Sequence, residues 1–375
     1  MTSGSVTIVG CGLIGGSMGM ALKRRRPEME LTCLDVSENL PAISAAGFAD
    51  RVGVLDNAED ILSGSELVIL AMPVEVILEQ LEIIAPHLKM GAVVTDVGGT
   101  KVEIAAEAER VLPDGVHFIG GHPIAGSENS GVQAADPLLF KGNVYVLCPN
   151  PDTPAPALIK LIDLVEDLMA LPLTIEPEEH DRILAMVSHV PQLLSIALVH
   201  AALEEDSFHS LLDVTVGRGF LDLTRIAASR FEPWKGVLKT NRRSISDALD
   251  RLEESLSAVR KSLEDDDLSE LWTQVSARRR KMTPEILLRK RKPDLRLLID
   301  QHDERILKAL SDRMRSVRQM GELKADQDAP VYDPGRERRL LNARREWGRA
   351  LGIPSDLIDE LFEVIVRHSR NMQSR

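Results

Sequence analysis

Histidine and glycine together mark the stretch of this sequence with the clearest capacity for chemistry. Residues 120–131 read GGHPIAGSENSG and directly follow Val116–Ile119, an apolar run that is typical of a buried strand. We interpret the stretch as a loop at the carboxyl end of that strand, where Gly120 and Gly121 leave the imidazole of His122 open to a substrate. An imidazole titrates near neutral pH and suits proton transfer. A surface turn with an incidental histidine has the same composition, so the rest of the chain must decide between the two.

A glycine-rich segment near the amino terminus predicts a dinucleotide site. The β-rich run Ser5–Val9 leads into 10–15, which read GCGLIG, and then into a helical pattern that extends to Arg25. When strand, glycines and helix follow in that order, Gly10 permits a tight turn, Gly12 lets the backbone approach a pyrophosphate, and Gly15 lets the helix pack on the strand. The phosphates would lie on the helix N-terminus. The predicted cofactor contacts here are Gly10, Gly12, Leu13, Ile14 and Gly15.

A second apolar run, Leu31–Leu34, ends in Asp35, twenty residues beyond Gly15. A carboxylate at this position accepts hydrogen bonds from both ribose hydroxyls and repels a 2′-phosphate. No arginine follows in Val36 or Ser37 that would compensate such a phosphate. The sequence therefore favours NAD over NADP as the cofactor.

Alternating strand-like and helix-like runs indicate the fold class and the domain boundaries. They predict an α/β Rossmann-type doubly wound parallel sheet over residues 1–176. Almost wholly helical periodicity then predicts an all-α substrate and dimerisation domain over 177–282. Basic and proline-rich residues 283–293 are interpreted as a linker, and 294–375 as a separate all-α unit of three helices.

Composition excludes several classes of partner. The chain has 375 residues, enough for two or three domains with separate cores. Its 45 basic and 58 acidic residues give a formal net charge of −13, which argues against nucleic acid. Three cysteines, neither paired in number nor spaced for a metal, are typical of a reducing compartment. With no apolar leader and no apolar run of membrane-spanning length, we expect a cytoplasmic protein without metal or membrane partners.

Three further motifs accompany the glycine loop, Asp35 and the residues around His122: DVGGTK at 96–101, SHVP at 188–191 and FLDLTRIA at 220–227. On these motifs rests a resemblance of the first 280 or so residues to the prephenate dehydrogenase family. It implies an NAD-dependent oxidative decarboxylation of prephenate to 4-hydroxyphenylpyruvate, on the route to tyrosine. His122 would accept the hydrogen bond of the ring hydroxyl as a hydride leaves the same carbon. Arg225 matches the family's carboxylate-binding arginine.

Two positions depart from that family's pattern. Gly99, which we group with the cofactor contacts, stands where the family usually has a serine that touches the substrate hydroxyl. Gln192 stands where many members have a histidine four residues after Ser188. Ser188 and Gln192 would share a helix face, so that Gln192 can donate to a carboxylate or keto oxygen of the substrate. Arogenate or a 4-amino-4-deoxy analogue is therefore the alternative to prephenate.

Eight charged or polar residues are spread through 294–375: Arg296, Arg313, Lys324, Asp333, Arg336, Glu337, Ser369 and Gln373. They match the active-site positions of the all-helical chorismate mutases, which residues 294–375 resemble over their full length. The rearrangement of chorismate is pericyclic and needs pre-arranged charge rather than a nucleophile. The resemblance implies that arginines clamp the two carboxylates, that Lys324 and Gln373 stabilise the breaking ether oxygen, and that Glu337 holds the hydroxyl.

Helical geometry tests one part of this resemblance independently. Arg313 and Lys324 are eleven residues apart and return to the same helix face at about 100° per residue. Arg296 lies seventeen residues before Arg313, about a quarter turn away, so one helix cannot direct all three side chains into one pocket. Arg296 would instead reach the pocket of a partner chain, which predicts a homodimer.

The two resemblances support each other, because the product of the mutase is the substrate of the dehydrogenase. We interpret the chain as a bifunctional chorismate mutase and prephenate dehydrogenase, with the alternative that the first 280 residues act only as a scaffold for the mutase. Intact Gly10, Asp35, His122 and Arg225 argue against that scaffold.

The acidic residue after the second apolar run makes cofactor choice testable. We expect a higher kcat/KM with NAD than with NADP, because Asp35 would meet the 2′-phosphate with like charge. Steady-state kinetics with both cofactors measure the difference. Equal values would show that Asp35 does not face the ribose.

Overall fold

The protein divides into two compact units, Met1–Thr283 and Pro284–Arg375. The computed structural model describes residues 4–55, 58–126, 129–204, 215–265, 267–282, 295–326, 334–350 and 352–373. The predicted linker at 283–293 lies outside the described residues.

An eight-stranded sheet forms the centre of the first unit, in the order β3-β2-β1-β4-β5-β6-β7-β8. The first six strands in this order, β3 through β6, are all parallel to their neighbours. The strands are β1 Ser5–Val9, β2 Glu30–Leu34, β3 Arg51–Gly53, β4 Leu67–Leu70, β5 Val93–Asp96, β6 His117–Pro123, β7 Val144–Pro149 and β8 Leu171–Thr174. The strand order reverses at β1, which is where cofactors bind in doubly wound sheets.

The predicted doubly wound parallel sheet is confirmed for six strands, and two further strands of opposite direction extend it at one edge. β7 is antiparallel to β6, and β8 is parallel to β7. A parallel pair needs a crossover of a dozen or more residues, usually a helix. The described part of the connection 124–143 carries one short 3₁₀ turn and no α-helix, so β7 returns directly beside β6.

Helices cover both faces of the sheet. One apolar core lies against α1 and α6, and a second core lies against α4 and α5 on the other face. Burial on both faces explains why the central strands are almost continuously apolar. The helices of this part are α1 Leu13–Arg25, α2 Leu40–Ala46, α3 Glu59–Gly64, α4 Val74–Ile84, α5 Val102–Val111 and α6 Ala155–Asp167.

Six further helices complete the first unit. They are α7 Pro177–Leu184, α8 Val190–Leu203, α9 Arg218–Thr224, α10 Glu232–Thr240, α11 Arg242–Glu264 and α12 Ser269–Arg280. A π-helical turn, Ala185–His189, joins α7 to α8, and a 3₁₀ turn, Arg225–Ala228, follows α9. Gly236 allows α10 to approach α4 closely, because a Cβ there would lie 3.0 Å from the backbone nitrogen of Glu75.

One helical segment, Pro177–Leu203, is long and apolar enough to cross a membrane by length and composition. This corrects the expectation that no apolar run reaches membrane-spanning length. Three polar side chains on this segment, His180, Asp181 and His189, are at most 2% exposed. Asp181 accepts hydrogen bonds from the start of α5, so this side of the segment packs on the sheet domain.

The second unit contains three helices in the described residues. They are α13 Leu295–Asp326, α14 Pro334–Ala350 and α15 Ser355–Gln373. Both α13 and α14 pack against α15. Ile358 and Val366 of α15 are buried. These three helices agree with the all-α unit of three helices expected for residues 294–375.

A small residue at position 121 is required by packing within the sheet. A Cβ on Gly121 would lie 2.5 Å from the carbonyl oxygen of Asp96 and 2.9 Å from Oγ1 of Thr95. We expect Gly121→Ala to lower the free energy of unfolding of the first unit by about 1–3 kcal/mol, because overpacking forces backbone shifts. Calorimetry of the full chain measures this change. Gly126→Ala is the matched control, since no atom lies within 4 Å of its Cβ position. Equal effects of the two substitutions would contradict the argument.

Candidate active sites

His122 lies within a strand and not in the loop that the sequence predicted. Strand β6 continues through Gly120, Gly121 and His122 to Pro123, and His122 pairs with Val146 of β7. The two glycines therefore serve packing rather than substrate access. A Cβ on Gly120 would lie 3.0 Å from Cδ of Lys101. Removing side chains here lets β6 pass over a buried lysine.

That lysine belongs to a buried ion pair at the carboxyl end of β5. Lys101 and Asp96 are 1% and 0% exposed, and the ammonium group donates to Oδ2 of Asp96. The carboxylate also accepts from the backbone nitrogens of Gly98, at 2.8 Å, and Gly121, at 3.0 Å. A buried charge is tolerated when it is paired and hydrogen-bonded in this way. The pair fixes β6 beside the end of β5 and places a positive charge near His122.

A chain of hydrogen bonds leads from His122 into the interior. Nδ1 of His122 lies 2.8 Å from Nε2 of His180, with the two rings in a T-shaped arrangement. Nδ1 of His180 lies 2.8 Å from Oδ1 of Asp181. His122 is half-buried, whereas His180 has no exposed surface. The catalytic candidate is therefore oriented by groups on α7.

These contacts define which nitrogen of His122 is available to a substrate. A carboxylate oxygen can only accept, so Nδ1 of His180 carries a proton. In a neutral His180 ring Nε2 is then an acceptor, and Nδ1 of His122 donates to it. Nε2 of a neutral His122 consequently keeps its lone pair. Burial lowers the pKa of His122 well below its usual value, and the charges of His180, Lys101 and His189 lower it further. His122 is therefore a neutral acceptor at pH 7.

Asp181 joins the helices that follow residue 176, the helical domain, to the part of the first unit that contains the sheet, the sheet domain. Its Oδ1 accepts from the backbone nitrogen of Lys101 at 2.7 Å, and its Oδ2 accepts from that of Val102 at 3.0 Å. Both nitrogens belong to the N-terminus of α5, where a negative charge is stabilised. On the other side, Nδ2 of Asn241 donates to the carbonyl oxygen of Asp181 and lies 3.2 Å from Nδ1 of His189. Burial lowers the pKa of His189 to about 4, in keeping with a structural role.

The glycine loop and Asp35 border a cleft of about 550 Å³ at the carboxyl ends of β1 and β2. Gly10 adopts a φ of +89°, and a Cβ on Gly15 would lie 2.0 Å from the carbonyl oxygen of Gly10. No atom lies within 4 Å of the Cβ position of Gly12, so the backbone there is open to a ligand. The first residues of α1, Leu13 and Ile14, follow directly. These features fit a pyrophosphate on the helix N-terminus.

The carboxylate of Asp35 is held in place by its neighbours. Oδ2 accepts from the backbone nitrogen of Cys11 at 2.6 Å, and Oδ1 accepts from the backbone nitrogen of Val36 at 2.8 Å. Nδ2 of Asn39 also donates to Oδ1, at 2.7 Å. Glu38 lines the same cleft, and no lysine or arginine does so among the described residues. The cleft is therefore suited to ribose hydroxyls and unsuited to an extra phosphate.

Gly99 lies between the sheet and α10. Its Cβ position is 3.3 Å from Cγ2 of Val237, so a serine would fit there with a small shift of that side chain. The neighbouring Thr100 is buried, and its hydroxyl lies 2.7 Å from that of Thr240. Thr100 consequently does not replace the missing serine hydroxyl.

Gln192 contacts the turn that carries Arg225 rather than open space. Its amide nitrogen donates to the carbonyl oxygen of Ile226 at 3.0 Å and to Oγ of Ser229 at 2.8 Å, and the residue is 4% exposed. The expectation that this amide donates to a substrate oxygen is therefore replaced by a role in holding the 3₁₀ turn. Arg225 is exposed on that turn, and Ser188 is half-buried in the π-helical turn.

In the second unit, two predicted site residues contact each other across helices. Nη1 of Arg313 on α13 donates to Oγ of Ser369 on α15 at 2.6 Å. Ser369 in turn donates to the carbonyl oxygen of Ile365 at 2.7 Å. Burial lowers the pKa of Arg313, and the charge of Arg344 lowers it further. The structure thus gathers positive charge beside the half-buried Arg313.

Glu337 and Lys324 lie in the same helical unit. Oε1 of Glu337 on α14 is 3.0 Å from Nε of Arg370 on α15, and Lys324 is half-buried on α13. Arg344 stacks over Trp347 at 4.1 Å from the ring centroid. The backbones of Arg296, Arg336 and Gln373 lie on α13, α14 and α15, and Asp333 lies outside the described residues. The side chains of Arg296, Arg336 and Gln373 are likewise outside the description.

Sequence reasoning missed the partners of His122. His180 and Asp181 stand 58 and 59 positions after it, in a helix with ordinary amphipathic spacing. The His-Asp pair stands among the charged residues Glu178, Glu179 and Arg182, so it is a weak signal, because such residues are also common on solvated helix faces. The pairing is produced by the packing of α7 against the ends of β5 and β6.

Family models match three successive parts of the chain. The prephenate dehydrogenase nucleotide-binding domain matches residues 18–171, and the prephenate dehydrogenase dimerization domain matches residues 176–277. The chorismate mutase type II model matches residues 295–374.

Individual relatives agree with these models. The prephenate dehydrogenase of Bacillus subtilis is 34% identical over 273 residues, which are 72% of each chain. A crystal structure of prephenate dehydrogenase from Aquifex aeolicus with hydroxyphenyl propionate and NAD+ is 28% identical with a TM-score of 0.70, over 76% of this chain and 99% of that chain. Synechocystis arogenate dehydrogenase is 28% identical with a TM-score of 0.66, over 74% and 100% of the two chains. The chain described here belongs to the prephenate dehydrogenase family and carries a chorismate mutase type II domain after its dehydrogenase domains.

Proposed function

We propose that this chain is a bifunctional enzyme that rearranges chorismate to prephenate and then oxidises prephenate to 4-hydroxyphenylpyruvate. The observation that carries the dehydrogenase assignment is the neutral His122 at the carboxyl end of β6, held through Nδ1 by His180. The mutase assignment rests on the match of residues 295–374 and on the arginine-rich contacts around Ser369. Consecutive reactions on one chain make each assignment support the other.

NAD is the cofactor that fits the cleft beside the glycine loop. Gly10, Gly12 and Gly15 would hold its pyrophosphate, and the fixed carboxylate of Asp35 would bind the ribose. Bound NAD supplies a hydride acceptor. Glu38 adds negative charge to the ribose end of the cleft, which disfavours a 2′-phosphate.

The dehydrogenase reaction requires one proton acceptor and a substrate held in a fixed orientation. As a hydride leaves the ring carbon that bears the hydroxyl, the lone pair on Nε2 of His122 accepts the hydroxyl proton. Loss of carbon dioxide then makes the ring aromatic, which drives the reaction forward. Arg225 supplies a planar cation for a substrate carboxylate, Ser188 supplies a hydroxyl, and Gln192 holds the turn that positions Arg225.

Gly99 keeps arogenate, or a 4-amino-4-deoxy analogue, as the alternative substrate. Without the serine hydroxyl, the contact with the C4 substituent is left to His122, and the space beside Val237 admits a different group. The likeness to an arogenate dehydrogenase is as close in sequence as that to the Aquifex enzyme. Formation of NADH with prephenate, arogenate and the 4-amino compound in parallel separates these substrates. No NADH with any of them would favour the scaffold alternative.

The mutase reaction requires fixed charge and no covalent step. Arg313, placed by Ser369, is proposed to bind one carboxylate of chorismate, with Arg296, Arg336 and Asp333 completing the site as the resemblance implies. Lys324 and Gln373 would stabilise the negative charge that grows on the breaking ether oxygen, and Glu337 would hold the hydroxyl. Arg344 and Arg370 lie close by and add positive charge for a dicarboxylate substrate.

A homodimer in the cytoplasm completes the proposal. Residues 176–277 match a dimerization domain, and α8 and α11 expose the apolar side chains Leu194, Ile196, Leu203, Leu256, Val259 and Leu263. A second copy of this chain would cover these faces, including the outer side of Pro177–Leu203. All three cysteines are free and buried, as expected in a reducing compartment.

Replacement of the proton acceptor tests the dehydrogenase half. We expect His122→Asn to lower dehydrogenase kcat by roughly 10²-fold or more, because asparagine cannot take up the hydroxyl proton. NADH formation and chorismate consumption are measured on the same preparation. Chorismate consumption serves as the control and should stay unchanged, since His122 belongs to the other unit. Full NADH formation by the variant would remove His122 from the mechanism.

Mixed dimers test the shared mutase site. We expect Arg296→Ala and Lys324→Ala chains to be inactive alone and to recover activity after subunit exchange. In a mixed dimer with shared sites, one site carries both substitutions and the other carries neither. Recovery should reach about half of one wild-type dimer per mixed dimer, as sites act independently. Chorismate consumption is the measurement, and exchange of labelled chains is verified separately. No recovery despite verified exchange would show that each site is built within one chain.

A further inference from the structure

The hydrogen-bonded chain behind His122 contains more than is needed to orient a ring. A single carbonyl or carboxylate oxygen is sufficient to hold a histidine tautomer. Here a second imidazole, that of His180, lies between His122 and the carboxylate of Asp181, with both hydrogen bonds at 2.8 Å. An imidazole, unlike a carbonyl, can take a proton at one nitrogen while donating from the other.

We propose that His180 and Asp181 form a proton relay for His122, an inference that rests on the dehydrogenase function proposed above. As the hydride leaves the substrate carbon, the substrate O–H bond breaks and an Nε2–H bond forms on His122. In the same step the Nδ1–H bond of His122 breaks and an Nε2–H bond forms on His180. His180 becomes an imidazolium whose Nδ1–H points to Asp181, and His122 stays neutral in its other tautomer.

The relay returns the proton when the ring becomes aromatic. The C–C bond to the departing carboxylate breaks, carbon dioxide leaves, and the electron pair enters the ring and reaches the oxygen. That oxygen takes the proton from Nε2 of His122, and Nδ1 of His122 recovers its proton from His180. The hydride would go to bound NAD, carbon dioxide leaves and the proton ends on the product hydroxyl, so no proton is released to solvent.

The charges around the two rings favour placing the proton on His180. Burial disfavours an imidazolium at His122, and the positive charge of the buried Lys101 disfavours it further. His180 contacts the carboxylate of Asp181 directly. That carboxylate is held in turn by two backbone N–H groups at the start of α5 and so keeps its place when the ring gains charge.

His180 is a positioning residue in this scheme, because it acts on the substrate through His122. A purely structural role would be to hold the Nδ1–H tautomer of His122, and a glutamine at position 180 can also accept that hydrogen bond through its Oε1. Glutamine cannot take up the proton. The substitution His180→Gln therefore separates orientation from proton transfer.

We expect His180→Gln to lower dehydrogenase kcat by about 10²-fold while KM for prephenate changes less than about threefold, since general acid–base steps contribute roughly 10²–10⁴. His189→Gln is the matched control. It is a buried histidine close to the same cluster, bonded to Asn241 and outside the relay, and its kcat should stay within about threefold of wild type. A kcat for His180→Gln equal to that of the control would overturn the relay.

Two measurements on the wild-type chain keep the proposal testable if His180→Gln fails to fold. With substrate deuterated at the hydride-donating carbon, the rate in mixtures of H₂O and D₂O should depend on the deuterium fraction along a curve, because two protons move together. Without cofactor, ¹⁵N resonances should show a protonated Nδ1 and an unprotonated Nε2 for His122. A straight line, or the opposite tautomer, would overturn the relay.

The outcomes distinguish the relay from the proposed function. Loss of activity in His122→Asn with full activity in His180→Gln would leave His122 as the acceptor and remove the relay. Full activity in His122→Asn would remove both. Unchanged chorismate consumption in every variant confirms that the second unit is intact.

Discussion

The carboxylate of Asp181 is the interaction on which the geometry of the dehydrogenase site depends. It is 1% exposed and accepts from two backbone nitrogens of α5 and from His180. Hydrogen bonds to a charged group contribute about 1.5–3 kcal/mol each, and an unpaired buried charge costs more. The helical domain can therefore dock in one register, with α7 against the start of α5. That register brings His180 against His122.

A second buried pair performs the equivalent task within the sheet. Asp96 and Lys101 hold the end of β5, and Asp96 reaches the backbone of Gly121 on the neighbouring strand. The glycine pair before His122 follows from this arrangement, since side chains at either position would collide with Lys101 or with the backbone of Asp96. His122 is thus positioned from two directions, by an ion pair on one side and by a histidine on the other.

The two units illustrate different requirements of catalysis. The dehydrogenase reaction releases a hydroxyl proton beside a hydride transfer, and His122, the proposed acceptor, is kept neutral by burial and by neighbouring positive charge. The mutase must stabilise charge separation in a rearranging dianion, and its helices present arginines that are themselves fixed by hydroxyl, carboxylate and aromatic neighbours. Neither site calls for a metal, and among the described residues no cluster of metal ligands was found.

The sequence by itself determined the features that are local along the chain. The strand, glycines and helix at residues 5–25, the acidic residue after β2, and the three C-terminal helices each depend on neighbours within a few turns, so periodicity and turn chemistry predict them. Tertiary structure decided the rest. Three features depend on contacts with residues 22 to 34 positions away: the reversal of β7, the continuation of β6 through His122, and the turning of Gln192 towards Ile226. The His122–His180 pair spans 58 positions, and its distance is set by how a helix packs on a sheet, which no local pattern encodes.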